Sequence, residues 1–529
     1  MELMSILLFL VLTCATVAFG VYVRHKYTGS LRQLPLPPGP PADPILGHIR
    51  SMPRLYPWKT FSDWGKQWGG TIYVHVLGKP MIIINDLAVA RELMDKRGSV
   101  YSDRPRYVLF REMMGWDRVL PFLPYGDKFR KHRKMMQQHF NSQAVARFRS
   151  LQRTEIYVLL QNLLKSPEAF DSHIKRAIAG TLTMVTFGYQ VVTDNDEYVS
   201  LVERAALLTT APGAPGSTPP DFVPFLRHIP VWFPGAGLSR LARNTKELVR
   251  ILSEMPYTFV KRNKMLGTAI PSFMSYLLDE YDQAGVNDPE HERDIKDVCA
   301  IIYSAGFETY ATHQSLTTLL TFVLAMVRHP EIMIRAQDEI ERVIGRDRMP
   351  SLEDRESLPI VDCILKECLR WNPPVPLGIP HRVMEDDVYQ SMHIPKGATI
   401  VANIWQMMRD ERYYSNPEQF NPDRFSRELA INLIEGLDKD DYNPLNVVFG
   451  FGRRVCPGRY FAEASLWLAM ASILAAFNIK RPLDGNGSEF VPEAAFTSGT
   501  GSQPKAFRCR FVSRGEKYEE MIKSEQTSY

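Results

Sequence analysis

Five residues near the C-terminus, Phe449, Gly452, Arg454, Cys456 and Gly458, fall within ten positions of one another. Cys456 is the metal-binding type among them. A thiolate, not a thiol, is the ligand, and a thiol needs help to ionise. Residues 459–470 read as a helix with Pro457 at its first turn, where a missing N–H costs nothing. The free N–H groups and partial positive charge of a helix start favour a thiolate there. Gly452 and Gly458 permit backbone shapes that a side chain blocks, so the loop can lie against a flat ring. Arg454 is placed to pair with a carboxylate. Phe449 can keep water from the sulfur, which tunes a bound metal. Iron in a flat, carboxylate-bearing ring suits all five positions. A buried free cysteine on a glycine-rich turn is the plain alternative.

Other residues gain meaning beside that loop. Residues 305–309 read Ala-Gly-Phe-Glu-Thr, inside a mostly apolar run over 295–327 that reads as one long helix. Gly306 costs such a helix about 1 kcal/mol against alanine, a sign of close approach by something. Glu308 is expensive there unless hydrogen-bonded. Thr309 can simply bond back to the Ala305 carbonyl and bend the helix. Glu367 and Arg370, three apart on a predicted helix over 361–370, share a face flanked by Ile364, Leu365 and Leu369. Buried, such a pair must be fully satisfied. Residues 125–140 read as a strongly basic helix with Lys128, Arg130, Lys131, Arg133 and Lys134. That is either a solvated face or a docking surface for an acidic partner.

The pattern Phe-x-x-Gly-x-Arg-x-Cys-x-Gly at 449–458 resembles the haem-binding loop of the cytochrome P-450 superfamily. The resemblance implies haem b held by the Cys456 thiolate, a ligand that favours O–O cleavage. It implies that Arg454, Arg133 and Arg382, the last preferred over His381, reach the haem propionates. Gly306 would leave room for dioxygen, while Glu308 and Thr309 supply protons. Glu367 and Arg370, with Arg424 of the Asn-Pro-Asp-Arg-Phe run at 421–425, would hold the core beneath the haem. Val375, Leu377 and Ile379 would line the pocket, and the turn at 497–502 would close it. Residues 207–234 would lie at the channel mouth, with apolar side chains toward a bilayer. Two positions depart from the pattern. Phe129 stands where the family has tryptophan and has no N–H to donate. Tyr310 stands where many relatives have a small hydroxyl residue.

The implied reaction inserts one oxygen atom from dioxygen into a C–H bond of a bulky apolar small molecule. Electrons come from NADPH through a separate reductase, since the chain has no Gly-x-Gly-x-x-Gly. Pro-His-Arg at 380–382 and Phe-Gly-Phe-Gly-Arg-Arg at 449–454 are similar to fungal microsomal members of secondary metabolism. A terpenoid substrate is favoured, with a polyketide or indole as the alternatives. Two rival activities stand beside this one: a haem-thiolate isomerase or dehydratase that does not use dioxygen, and a non-catalytic haem-binding protein. Glu308 and Thr309 argue against the first, and the anchor, hinge and basic face against the second.

These positions need a scaffold. The chain has 529 residues, 45% of them hydrophobic, enough for a large core. Its net charge of +4 makes no case for nucleic-acid binding. Its six cysteines include no C-x-x-C pair, which argues against zinc and against a disulfide framework. Residues 3–23 carry no charge and would span roughly 30 Å as a helix. Arg24, His25, Lys26 and Arg32 follow. This predicts a single-pass endoplasmic-reticulum anchor with the catalytic part cytosolic. A cleaved signal peptide fits less well, because the apolar run is too long and no Lys or Arg precedes it. Prolines between 35 and 44 make a stiff spacer. The expected organisation is an anchor over 1–23, a hinge over 24–45 and a catalytic domain over 46–529. Residues 71–85 read as a hairpin turning at Gly78-Lys79-Pro80, and most of 141–337 as helices. The fold expected is mainly α with a small β-rich lobe, a P-450 fold behind one transmembrane helix.

Overall fold

The computed structural model describes residues 34–191, 196–213, 215–285, 288–305, 313–426 and 439–525. The expected anchor over 1–23 lies outside these residues, as does part of the hinge. Among the described residues no single helix is long and apolar enough to cross a membrane.

Helices dominate. The longer ones are α1 (Pro57–Trp68), α2 (Asp127–Phe140), α3 (Arg149–Lys165), α4 (Phe170–Phe187), α5 (Glu197–Thr210), α6 (Gly237–Leu266) and α7 (Phe273–Ala284). They continue with α8 (Pro289–Ala305), α9 (His313–Arg328), α10 (Pro330–Ile344), α11 (Pro359–Trp371), α12 (Arg459–Ala476) and α13 (Glu516–Ser524). The strands are β1 (Thr71–Val76), β2 (Lys79–Ile84), β3 (His381–Arg382), β4 (Asp387–Tyr389), β5 (Met392–Ile394), β6 (Thr399–Ala402), β7 (Phe477–Lys480) and β8 (Arg510–Ser513). The small β-rich lobe is a four-stranded sheet in the order β1-β2-β6-β3. β2 and β6 pair in parallel, and the other pairs are antiparallel.

The first hairpin turns one residue earlier than its sequence suggests. Leu77 and Gly78 both have positive φ, 48° and 76°. That is the mirror-image two-residue turn whose twist matches a hairpin. Pro80 therefore sits inside β2, opposite His75. The ladder to β6 begins only at Met81, so its missing N–H breaks no second ladder.

Apolar side chains collect in two large cores. One joins α9, α11 and α12 through residues such as Phe322, Ile364, Leu369 and Trp467. α12 is buried on nearly every face from Leu466 onward, the mark of a central helix. The other core joins α2 and α5–α8 through Phe129, Val202, Leu252, Phe273 and Val298. Between the cores lies a cavity of about 280 Å³. In the segment expected at a channel mouth, Phe225 and Trp232 are each 77% exposed.

Candidate active site

The Cys456 loop is shaped by its own backbone and by a neighbouring segment. The Cys456 N–H donates to the Phe449 carbonyl at 2.8 Å. Gly450 and Gly452 have φ of 84° and 54°, the left-handed region that suits glycine. A side chain at Gly452 would collide with the Met94 carbonyl oxygen. Its N–H donates to the Asp95 carboxylate. Gly452 is thus held to glycine by the backbone at 94–95, which presses on it. Gly458 is different. A side chain there would meet nothing within 4 Å. It is the N-cap of α12, so Pro457 lies just outside the helix rather than in its first turn.

Electrostatics at the sulfur are incomplete without a metal. Burial pushes the Cys456 thiol above its ordinary value, while the Gly458 N–H and the Arg133 and Arg459 charges pull it down. The helix start assists but does not prevail alone. A bound cation at the sulfur reverses that balance, since a coordinating thiol is deprotonated outright.

Cys456 and Phe449 line the cavity together with Arg104, Arg133, Arg454 and His381. The three guanidiniums are served by carbonyl oxygens. Arg454 donates to Ser102 at 2.7 Å and Leu123 at 2.8 Å. Arg104 donates to Pro121 at 2.8 Å, Ile379 at 2.7 Å and Pro380 at 2.8 Å. Arg133 donates to the carbonyl of Val455, next to the cysteine. None of the three has a carboxylate partner among the described residues, and no Asp or Glu is among the described cavity lining. Burial, with Arg104 nearby, depresses Arg454 to about 8, and burial depresses Arg104 to about 10. Unpaired buried cations call for a ligand that brings the anions. A thiol at one wall, open space at Gly458 and carboxylate-hungry arginines at the rim fit haem with its two propionates.

The predicted residues distribute unevenly around this cavity. Arg133, Arg454, Phe449, Cys456 and Gly458 line it, as do Val375, Leu377 and Ile379. Gly452 does not, for the reason given above. Arg382 is also absent from the lining. Its guanidinium is ion-paired with Asp103, which holds it beside the sheet. His381, which alternates with it along β3, faces the cavity instead, with Nδ1 2.8 Å from the Tyr101 carbonyl. Phe129 has no N–H, yet its ring lies under Arg454, 3.8 Å from the guanidinium carbon, and holds the cation by its π face. The turn at 497–502 does not reach the described lining. Ser502 instead bonds Asn372 at 2.8 Å and fixes Pro374 through its N–H at 3.0 Å, bracing the wall from behind. Gly306, Glu308, Thr309 and Tyr310 lie outside the described residues; Ile301 and Ile302, just before them, line the cavity.

Glu367, Arg370 and Arg424 meet in the core. Arg370 donates to both Glu367 oxygens, at 2.7 and 2.8 Å, and to the Met408 carbonyl at 3.0 Å. Arg424 approaches the same carboxylate at 3.2 Å, and the Asn421 N–H completes it at 2.7 Å. Glu367 and Arg370 are fully buried. Arg104 was missed in the sequence. Its only local signal is a cation set between Asp103 and Pro105, while its partners lie up to 276 residues away.

The basic helix α2 is only partly a free surface. Lys131 is 2.7 Å from Asp294, and Lys128 is 3.0 Å from Glu290. Those two cations are consumed inside the protein. Lys134 and Arg453 instead border a surface depression beside the cysteine loop, together with Arg130, which pairs with the exposed Asp127.

Comparison with known proteins gives a consistent family. The Cytochrome P-450 family model matches residues 37–501. Cytochrome P-450 monooxygenase 136 of Postia placenta is 38% identical over 97% of this chain and 95% of its own length. Cytochrome P-450 monooxygenase claR of Ampulloclitocybe clavipes is 37% identical over 97% and 93%. Tryptamine 4-monooxygenase of Psilocybe cyanescens is 35% identical over 93% and 95%.

Proposed function

The chain belongs to the cytochrome P-450 family, whose members carry haem b on a cysteine thiolate, and from that premise we propose a monooxygenase that oxidises an uncharged, bulky, apolar small molecule. One observation carries the reading: Cys456 shares a cavity with the buried Arg104 and Arg454 and the half-buried Arg133, none of which has a carboxylate partner among the described residues. Cys456 is the proposed ligand. Arg104, Arg133, Arg454 and His381 are the proposed propionate partners, in place of Arg382. The bound haem supplies dioxygen activation and transfer of one oxygen atom to a C–H bond. The protein contributes orientation, dryness and proton supply. Glu308 and Thr309 are the proposed proton donors, with Gly306 making room.

Leu120, Ile301, Ile302, Val375, Leu377 and Ile379 give much of the described wall an aliphatic surface, and Phe129, Phe140, Phe449, Phe451 and Phe461 add rings. Such a wall grips an apolar skeleton by area and shape. A terpenoid is the proposed substrate, with a polyketide or indole as the alternatives. Tryptamine, named in one relative, bears an ammonium group, and the described lining has no carboxylate to receive it.

Electrons are proposed to come from NADPH through a separate reductase that docks on Lys134, Arg130 and Arg453. Residues 1–23 are the proposed endoplasmic-reticulum anchor, with the catalytic part on the cytosolic side. Exposed Phe225 and Trp232 support contact with the bilayer. The test is the absorption of reduced protein under carbon monoxide. A thiolate-type Soret band that disappears in Cys456→Ala is expected. Histidine-type ligation, or folded protein that takes up no haem, overturns the reading. Oxidation of a terpenoid panel with added reductase then tests the substrate class.

A further inference from the structure

Away from the cavity, α2 and α8 are joined by a closed set of charges. Glu290, Asp294 and Asp297 recur at i, i+4 and i+7 on α8, so they share one face. Opposite them stand Lys128, Lys131 and His132 of α2, with Arg118 from the segment before it. Asp294 is 2.7 Å from Lys131, 2.8 Å from His132 Nε2 and 3.4 Å from Lys128. Arg118 is 2.6 Å from Asp297 and 2.8 Å from Glu290. His132 is fully buried and its Nδ1 has no partner among the described residues. The ring is therefore assigned as neutral, with its proton on Nε2 pointing at Asp294. Burial keeps its pKa below the ordinary value despite the pull of Asp294. Three carboxylates then face three cations, and the charges sum to zero. His132, Asp294 and Asp297 bring three ligand atoms close together, but their carboxylates are already matched by Lys131, Lys128 and Arg118.

We propose that this clamp, centred on Asp294, is a positioning device that sets the rotation and register with which α8 enters the cavity. Ile301 lies seven residues after Asp294, two helical turns on and on the same face. Ile301 and Ile302 line the cavity, and α8 is described to Ala305, where the Ala-Gly-Phe-Glu-Thr run begins. Slipping the helix by one residue turns its face by about 100°. Different side chains would then face the haem. The other end of the clamp is tied to the opposite wall. Arg133, next to His132, lines the cavity and donates to the carbonyl preceding Cys456. Loosening the clamp therefore shifts Ile301 and Ile302 relative to the Cys456 side without removing any group that lines the cavity. The functional consequence rests on the monooxygenase reading; the mechanical claim does not.

The experiment uses full-length protein with bound haem. Asp294→Asn, His132→Phe and His132→Gln are compared with wild type by amide hydrogen exchange over residues 289–305. The carbon monoxide spectrum reports the haem separately. Asp294→Asn and His132→Phe should exchange about tenfold faster there, the factor for losing one charged hydrogen bond. His132→Gln, which keeps a donor near Nε2, should restore wild-type exchange. With reductase and NADPH but no substrate, the two disruptive variants should release more hydrogen peroxide per NADPH consumed. Unchanged exchange and unchanged peroxide in variants with a normal spectrum overturn the proposal. Should Asp294→Asn fail to fold, Lys131→Met keeps the packing and removes only the cation; wild-type exchange in that variant also overturns it. Loss of the thiolate spectrum in wild type instead counts against the monooxygenase reading alone.

Discussion

Two charge clusters brace this protein, one around Glu367 of α11 and one around Asp294 of α8, and they are closed by different means. Around Glu367 the donors are two guanidiniums and a backbone N–H, and Glu367 and Arg370 have no exposure. Around Asp294 two of the cations are lysines, and the Lys131 side chain is 39% exposed. Guanidinium is planar, permanently charged and matched to a carboxylate fork, so it can be sealed in a core. An ammonium on a flexible stem can swing back to water. The first cluster therefore has no escape if one member is removed, whereas the second can relax.

The largest effect is expected at Glu367. Glu367→Ala strands two buried guanidiniums, a loss of about 3–5 kcal/mol, a large share of a domain's stability. Haem-loaded protein should disappear, as read by the carbon monoxide spectrum of whole cells. Stable, haem-loaded Glu367→Ala protein would break the comparison.

Asp294→Asn should cost less, about 1–3 kcal/mol, because Lys131 regains water. Thermal unfolding of the haem-loaded variant measures this. A loss as large as that of Glu367→Ala would erase the distinction.

Asp297, one turn along, sharpens the contrast through pH. Burial pushes it up to about 6 against the pull of Arg118. Burial also opposes ionisation of Asp294, but His132 and Lys131 hold that carboxyl down at about 2. A raised carboxyl binds its proton more tightly folded than unfolded, so its contribution is lost as pH rises from about 4 to 6. Asp297→Asn removes that loss. It should unfold at a higher temperature than wild type at pH 7 and at a similar one below about pH 4. A depressed carboxyl has the opposite sign, so the deficit of Asp294→Asn should be present at pH 7 and shrink only as pH falls below about 4. Parallel pH profiles for the two variants would show that the aspartates do not differ in environment.

The smallest structural effect is expected on the open side of α2. Lys134→Glu with Arg453→Glu should leave the melting temperature nearly unchanged, since exposed charges contribute about 0–1 kcal/mol. The same double variant should raise the apparent KM for reductase. Lys128→Glu with Lys131→Glu should lower the melting temperature instead. If both pairs act alike, the division between free and consumed cations fails.

Much of the site was legible because its signals are local. Cys456, Arg454 and Phe449 are read from one short loop, and the Glu367–Arg370 pair from a helical spacing of three. Helix-rich architecture and the small sheet follow from apolar period, since a helix and a strand repeat their faces at different intervals. Residue type alone also decided that a thiol, a cation and a shielding ring stand together. What a side chain touches across the chain was a different matter. Whether Arg382 or His381 faces the cavity depends on Asp103, some 279 positions away. Gly452 is glycine because of Met94, Arg104 is held by carbonyls of another segment, and Lys131 is spent on Asp294. Sequence carries periodicity and chemistry along the backbone. Only packing decides which of two adjacent residues points inward and which surface charge is already paired, because those outcomes depend on neighbours that chain separation does not encode.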